Sequence, residues 1–242
     1  MKFENTQVFN FEGALRGMRN PLNSWAKSDS NWNPNDDCIN PDHPDGCAAC
    51  PAFHGFGVSC FLIGPNDMDL CRRLINGGPE HRKFLRQIFV SVDITAPLYW
   101  WKEADTYAVG VTKNSTSTMH KLASTPITLE CFETDDFEPN LVYHIDDIGD
   151  NDVEETISDI MEAFIEKLEL LRNKYNETKD KRYWKELVRL LPNGWLQTRT
   201  VTMNYENLRS MCHQRKGHKL SEWRAFCEWV ETLPYAQELI IS

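Results

Sequence analysis

The amino-acid sequence predicts an α+β fold, because strand patterns come early in the chain and long helical patterns come late. Apolar residues alternate over positions 89–94, with the period of two that a strand requires. Over positions 157–171 they follow the period of 3.6 that is typical of an amphipathic helix. Strands and helices do not alternate regularly, which argues against a parallel α/β fold.

Length and composition predict a single α+β domain covering residues 1–242. The chain is 41% hydrophobic and 11% aromatic, which is sufficient for an ordered core. Its formal charge of −10 argues against binding to duplex nucleic acid, because DNA-binding proteins normally present a basic face. No apolar run approaches the roughly 20 residues needed to cross a bilayer, and the start of the chain lacks a signal-peptide pattern. We therefore expect a soluble cytoplasmic protein with no membrane partner.

The first half of the chain contains short elements around a turn-rich segment. Residues 7–11 predict a strand, and the composition of residues 31–62 indicates an irregular, cysteine-rich insertion. Asp67 can cap a helix that closes at the Gly77-Gly78 pair. The strand over 89–94 ends at Pro97, and a buried helix then runs from residue 98 towards Gly110.

The second half of the chain is mainly helical in pattern. Residues 135–152 are strongly acidic, and we expect a solvated loop there. A long amphipathic helix starts at Val153, and a second helix over 184–191 stops at Pro192. The remaining residues predict short helices alternating with loops.

Four cysteines of the insertion have the spacing C-x8-C-x2-C-x9-C. A Cys-x2-Cys pair can place two thiolates on one ion at tetrahedral angles, and a bound zinc ion would order so polar a loop. An iron–sulfur or catalytic metal and free thiols in a packed loop are the alternatives. The candidate metal ligands are Cys38, Cys47, Cys50 and Cys60, with His43 and His54 between them. The other four cysteines are predicted to be small core residues: Cys71, Cys131, Cys212 and Cys227.

A basic cluster follows the glycine pair. His81, Arg82 and Arg86 lie within seven residues of an otherwise acidic chain, and an arginine fork can hold two oxygens of a phosphate or carboxylate. The alternative is an ordinary helix surface. The nearby run 99–107 mixes large rings with Lys102 and Glu103, which suits either a solvent-facing rim or contacts to a ligand. The hydroxyl-rich run 114–120 suits a loop or a helix cap.

Several motifs keep the order and nearly the spacing of one enzyme family, the flavin-dependent thymidylate synthases, which the chain resembles over most of its length. They are Ala14-Leu15-Arg16-Gly17-Met18-Arg19, Glu80-His81 after two glycines, Ile94-Thr95-Ala96-Pro97-Leu98-Tyr99, Leu191-Pro192, Thr202-Met203-Asn204, Gln214-Arg215, His218 and Glu222-Trp223-Arg224. The carboxy-terminal motifs are the most specific part of the resemblance.

The resemblance implies a mixed or antiparallel sheet packed with long helices. It also implies transfer of a methylene group from methylenetetrahydrofolate to deoxyuridine monophosphate (dUMP), with FAD and NADPH, in a homotetramer whose subunits share active sites. Arg215 matches a nucleotide-contacting arginine of the family. Glu103 and Lys102 stand where the family has a Gln and an Arg near the nucleotide, and Thr116 stands at a signature serine.

On the cofactor side, the resemblance places His81 at a flavin-side histidine and both Asn204 and His218 at or near flavin contacts. Arg82 and Arg86 of the basic cluster are the further candidates for binding FAD. These assignments require the tail, residues 191–224, to lie beside the His81 cluster and the Trp100 helix in one pocket.

The chain departs from the family at its signature, Arg-His-Arg. The matching positions are Thr106, Tyr107 and Ala108, and two further arginines of the family are Thr118 and Glu206 here. Three functions therefore stay open: a divergent enzyme, a nucleotide-binding protein without turnover, and a zinc-stabilised structural or interaction protein. In the second, a base would stack on Tyr107 or on one of two tryptophans, Trp100 and Trp101.

Overall fold

The computed structural model describes residues 1–32, 61–148 and 151–242. Among the helices of these residues, none is both long enough and apolar enough to cross a membrane. In chain order the elements are β1 (Lys2–Phe9), α1 (Phe11–Arg19), β2 (Asn31–Trp32), β3 (Phe61–Leu62), α2 (Pro65–Asn76), β4 (Phe89–Pro97), α3 (Leu98–Ala104), β5 (Thr112–Ser115), α4 (Thr118–Lys121), β6 (Val142–Ile148), β7 (Asn151–Thr156), α5 (Ile157–Thr178), α6 (Lys181–Arg189), β8 (Leu196–Asn204), α7 (Tyr205–Arg215) and α8 (Ser221–Glu231).

These elements confirm the α+β prediction. Four strands form one sheet in the order β1-β4-β8-β5. Strand β4 follows the predicted alternation, because Val90, Val92 and Ile94 are buried at every second position. Two antiparallel strand pairs, β2 with β3 and β6 with β7, stand outside that sheet.

The chain divides into two compact units, so the single domain stays a prediction. The larger unit comprises Lys2–Ile94, Asp105–Asn114 and Thr200–Ser242, and the smaller unit comprises Met1, Thr95–Ala104 and Ser115–Arg199. The core of the larger unit contains residues from α1, β4, α7 and α8, among them Leu15, Val92, Leu208 and Phe226.

Asp67, the predicted cap of helix α2, forms a buried ion pair with Arg19 instead. Helix α2 begins after Gly64, and the carboxylate of Asp29 accepts the backbone N–H groups of Asn66 and Asp67 at 2.9 and 3.1 Å. The Asp67 side chain is fully buried and accepts a bond of 2.5 Å from Arg19 Nε, so the prediction that Asp67 caps the helix is wrong. Asp29 was not predictable as the cap because it lies far from the helix in sequence.

The smaller unit has its own apolar core between α5, α6 and the residues before β6. Leu122, Ile127, Phe132, Leu168 and Leu187 form this core. The long amphipathic helix is confirmed as α5, and the second helix as α6, each with shifted ends.

Three other predictions need correction. The acidic segment 135–152 contains β6 and the first residues of β7 instead of a loop, because the backbone N–H and C=O groups of these two strands pair with each other. Helix α3 ends at Ala104 and does not reach Gly110. Strand β8 lies where short helices and loops were expected, because polar and Thr residues such as Gln197, Thr198 and Thr200 obscure its alternation.

We expect Thr156→Ala to lower the free energy of unfolding by about 1 kcal/mol, because it removes the amino-terminal cap of α5. The Thr156 hydroxyl accepts the Asp159 N–H, and the Asp159 carboxylate accepts the Thr156 N–H at 2.7 Å. Urea unfolding followed by circular dichroism measures the loss. Ser158→Ala in the same turn is the control, and an equal loss in both variants would contradict the prediction.

Candidate functional site

Arg215, the last residue of α7, is held between aromatic rings of the larger unit. Its Nε donates to the Tyr107 hydroxyl at 2.9 Å, and its guanidinium carbon lies 4.8 Å from the centroid of the Trp223 ring. The same carbon lies 5.6 Å from the Tyr107 ring centroid. The Tyr107 hydroxyl in turn donates to Gln214 Oε1 at 3.1 Å. The guanidinium is therefore pre-organised by a hydroxyl and by two rings, which attract a cation through their faces.

His218 lies in the turn that connects α7 to α8. Its backbone N–H donates to the Arg215 carbonyl at 2.9 Å, and its Nδ1 accepts the Leu220 N–H at 3.2 Å. The ring centroid is 6.3 Å from that of Trp223. Because Nδ1 acts as an acceptor, the neutral ring carries its proton on Nε2. The turn thus places His218 and Arg215 around one tryptophan.

Arg82 of the basic cluster is bound to Glu206 of α7. The Arg82 Nε lies 2.9 Å from Glu206 Oε2, and its Nη2 lies 3.0 Å from Oε1. Both side chains are partly buried. Nearby, burial and then repulsion from Arg82 lower the pKa of Arg209, and Glu206 opposes this shift. Glu206, which stands where the family has an arginine, therefore neutralises a cation that the sequence assigned to FAD.

The other cluster residues are exposed. The His81 ring lies over Gly77, where an added Cβ would meet it at 3.2 Å, and its backbone N–H donates to the Gly78 carbonyl. The Arg86 side chain is exposed to solvent. Both side chains are accessible to an anionic ligand.

Asn204 has a structural role that the sequence assignment did not include. Its Oδ1 accepts the Asn207 N–H at 2.9 Å, and Asn207 Oδ1 accepts the Asn204 N–H at 3.1 Å. This capping box starts α7. Asn207 Nδ2 also donates to the Val109 carbonyl at 2.9 Å, which ties α7 to the segment that carries Tyr107.

The remaining substrate candidates belong to the smaller unit. Lys102 is exposed, and its Nζ contacts Asn193 Oδ1 at 2.6 Å. Glu103 is half-buried on the same helix, α3. Thr116 is exposed, and its backbone pairs with Thr198 and with the Gln197 side chain.

Trp100 and Trp101 are core residues, so the expectation that a base stacks on them is wrong. They are 2% and 1% exposed. Trp101 Nε1 donates to the Gln197 carbonyl at 2.9 Å, and the Arg199 guanidinium lies 4.2 Å from the Trp101 ring centroid. Burial leaves no ring face for a ligand.

The larger unit contains six of the candidates: His81, Arg82, Arg86, Asn204, Arg215 and His218. The Arg82–Glu206 pair joins the basic cluster to the first turn of α7, whereas Arg215 is the last residue of that helix, about 13 Å further along its axis. The candidate zinc ligands Cys38, Cys47, Cys50 and Cys60 lie outside the described residues, so the zinc site stays a prediction.

One group of described residues has metal-ligand chemistry. Ligand atoms of His144, Asp146 and Glu155, on the β6–β7 hairpin, lie within 4.8 Å of one another. His144 Nε2 is 2.9 Å from Asp146 Oδ1, and both side chains are about half exposed. An exposed contact between the His144 ring and the Asp146 carboxylate accounts for this arrangement.

We expect the Arg82–Glu206 pair to show a coupling energy of about 1 kcal/mol in a double-mutant cycle. The pair is bidentate and partly buried, so the two charges are screened less than on an open surface. Urea unfolding of Arg82→Ala, Glu206→Ala and the double variant measures it. The exposed Lys83–Glu80 pair, at 3.6 Å, is the control and should give a value near zero. Equal coupling in both pairs would refute the expectation.

No protein-family model matches the sequence, and no curated protein matches it. Several solved structures, however, are similar to the structure of this chain. The flavin-dependent thymidylate synthase of Helicobacter pylori, complexed with FAD and dUMP, has a TM-score of 0.60 and 15% identity, covering 99% of this chain and 98% of that chain. A second structure of the Helicobacter pylori enzyme with FAD and dUMP gives the same TM-score and identity, covering 99% and 97%.

A UMP/dUMP methylase from Streptomyces cacaoi, bound with 5-Br dUMP, covers 74% of this chain at 14% identity and 80% of its own chain. Its TM-score is 0.49. The two Helicobacter pylori structures suffice for the architecture, which matches over nearly the whole chain. The protein therefore has the fold of the flavin-dependent thymidylate synthases.

Proposed function

We propose that the protein is a divergent flavin-dependent transferase that adds a one-carbon group from a folate to a deoxyuridylate-like nucleotide. The observation that carries this proposal is the Arg215 guanidinium, which Tyr107 and Trp223 hold in place. An arginine held in this way loses little conformational freedom when its planar fork binds a phosphate. The shared fold supports the choice of nucleotide, because the similar Helicobacter pylori structures contain dUMP and FAD.

The described residues fit an FAD phosphate group in part. His81 and Arg86 are exposed and can donate to phosphate oxygens, whereas the Arg82 charge is neutralised by Glu206. His81 and Arg86 would therefore hold FAD, and His218 would lie near it. When bound, FAD supplies the hydride, so the protein needs no nucleophile of its own and acts by binding and orienting the reactants.

A second candidate function, nucleotide binding without turnover, is favoured by Tyr107. The family has Arg-His-Arg at residues 106–108, but here the central side chain is a tyrosine whose hydroxyl bonds both Arg215 and Gln214. Thr106 and Ala108 supply no cation. Such a site can bind a nucleotide by stacking and by the arginine fork while lacking groups that organise the flavin.

Native mass spectrometry of freshly purified full-length protein, together with flavin absorbance, tests the proposal. We expect bound FAD, a homotetramer, and formation of thymidylate from dUMP, methylenetetrahydrofolate and NADPH. Colourless protein that dUMP stabilises thermally would replace the first function by the second. Protein that binds neither FAD nor dUMP would refute both.

A further inference from the structure

Two cysteines that the proposed function does not use face each other in the larger unit. Cys212 of α7 and Cys227 of α8 are both free, and they are 4% and 8% exposed. Both line one cavity of about 110 Å³, whose other walls are His213, Lys216, Glu231 and Ile241. Each thiol is the largest single influence on the pKa of the other, which places the two side chains close together.

The pair is asymmetric. The hydrogen bond to Cys227, followed by burial and by the charge of Glu231, raises the pKa of Cys212 well above its usual range. The same hydrogen bond lowers the pKa of Cys227, against burial and the repulsion of Glu231 and Glu228, and Lys216 also lowers it. Of the two thiols, Cys227 is therefore the one that forms a thiolate more readily.

Cys71 is a buried cysteine that has no second thiol among the causes of its pKa shift, so it can be compared with the pair. It is fully buried in the larger unit, and its thiol lies 3.6 Å from the Met18 sulfur. Burial, and then the charge of Asp67, raise its pKa to about 12. This thiol is predicted to be inert, and it serves as the internal reference for the pair.

We propose that Cys227 is a site of thiol–disulfide exchange with low-molecular-weight disulfides, and that Cys212 is its resolving thiol. The Cys227 thiolate attacks one sulfur of a disulfide such as oxidised glutathione, forming a mixed disulfide and releasing one glutathione thiolate. Cys212 then loses its proton and attacks the Cys227 sulfur, which releases the second glutathione. Two protein thiols are oxidised, one external disulfide is reduced to two thiols, and the two protons pass to the released thiolates.

The cross-link would form next to the Arg215 group. Cys212 precedes Arg215 by three residues on α7, and Cys227 follows Trp223 by four on α8, so each cysteine lies one helical turn from a residue of the stacked pair. A disulfide would therefore join the two helices beside this contact. The exchange itself does not depend on the proposed function.

The test uses reduced full-length protein treated with oxidised glutathione under native conditions, acid-quenched, alkylated, digested and analysed by mass spectrometry. We expect a peptide pair joined by Cys212–Cys227, while Cys71 is recovered as an alkylated thiol. Native alkylation should be at least about tenfold faster at Cys227 than at Cys71, because the reactive species is the thiolate. Recovery of both Cys212 and Cys227 as thiols, or a cross-link of either to another cysteine, would overturn the proposal.

Two variants separate the roles of the cysteines. Cys212→Ser should stop at a glutathione adduct on Cys227, and Cys227→Ser should leave Cys212 as a thiol. Adduct formation on Cys212 in Cys227→Ser would overturn the assigned roles. The wild-type experiment needs no substitution, so the proposal stays testable even if a variant does not fold.

Discussion

Asp67→Asn is expected to lower the free energy of unfolding by about 3–5 kcal/mol, because it leaves the Arg19 charge buried without its partner. Arg19 is 5% exposed and Asp67 is fully buried, with 2.5 Å between Arg19 Nε and Asp67 Oδ1. The hydroxyls of Ser28 and Ser30 each donate to Asp67 Oδ2 at 2.6 Å. An amide at this position cannot accept all of these bonds and carries no charge.

The same carboxylate should make stability depend on pH. Burial raises the pKa of Asp67, but the hydrogen bonds from Ser28, Ser30 and Arg19 outweigh burial, and the net pKa lies below its usual value. A lowered pKa means that the unfolded chain takes up the proton first as pH falls. The contribution of Asp67 is therefore fully present above the unfolded pKa of about 3.9, and it is lost as pH falls through the folded pKa.

Urea unfolding of wild type and Asp67→Asn, at neutral pH and at decreasing pH, measures both effects. The difference between the two proteins should shrink in acid, because the wild-type carboxylate is then protonated. Asp69→Asn is the matched control, since Asp69 lies on the same helix, is 66% exposed and forms an i,i+4 ion pair with the exposed Arg73. The control should lose less than about 1 kcal/mol. A loss at Asp67 no larger than the control would contradict the assignment of a buried ion pair.

Elements with strong periodicity were predictable from the sequence, and those that depend on distant partners were not. The alternation of β4 and the helical spacing of α5 each follow from a local pattern, so both appear close to where they were expected. The local sequence predicts Asp67 as a helix cap, whereas its actual partner, Arg19, is 48 residues away. Strand β8 lies between β4 and β5 in the sheet, and these neighbouring strands determine its conformation more than its own hydrophobic pattern does.

The candidate site shows the same limit. Motif order predicts Arg215 and His218 as candidates, but Tyr107, whose hydroxyl oxygen accepts a bond from Arg215 and whose ring lies beside it, is 108 residues away in sequence. The sequence shows that Glu206 differs from the family's arginine, but it does not show that Glu206 pairs with Arg82, which is 124 residues away. Trp100 and Trp101 could be either ligand platforms or core residues, since composition does not distinguish a buried ring from an accessible one.

Arg215→Ala is expected to abolish the thermal stabilisation of the protein by dUMP while leaving the fold intact. At a nucleotide concentration about 100-fold above Kd, ligand binding stabilises a native state by about 2.7 kcal/mol, or about 5–10 °C in a chain of this length. This shift should vanish in the variant, because the arginine fork that binds the phosphate is lost. Without ligand, the loss of the contact to Trp223 should cost only about 1 kcal/mol.

Differential scanning fluorimetry with and without dUMP measures this shift, and two further variants identify its cause. Arg73→Ala removes an exposed arginine of the same unit, so it should keep the full response unless net charge alone attracts the nucleotide. Tyr107→Phe removes the hydroxyl that holds Arg215 Nε, and it should weaken the response without abolishing it, since the stack on Trp223 persists. A full dUMP response in Arg215→Ala would exclude this arginine from the site, and with it the observation that carries the proposed function.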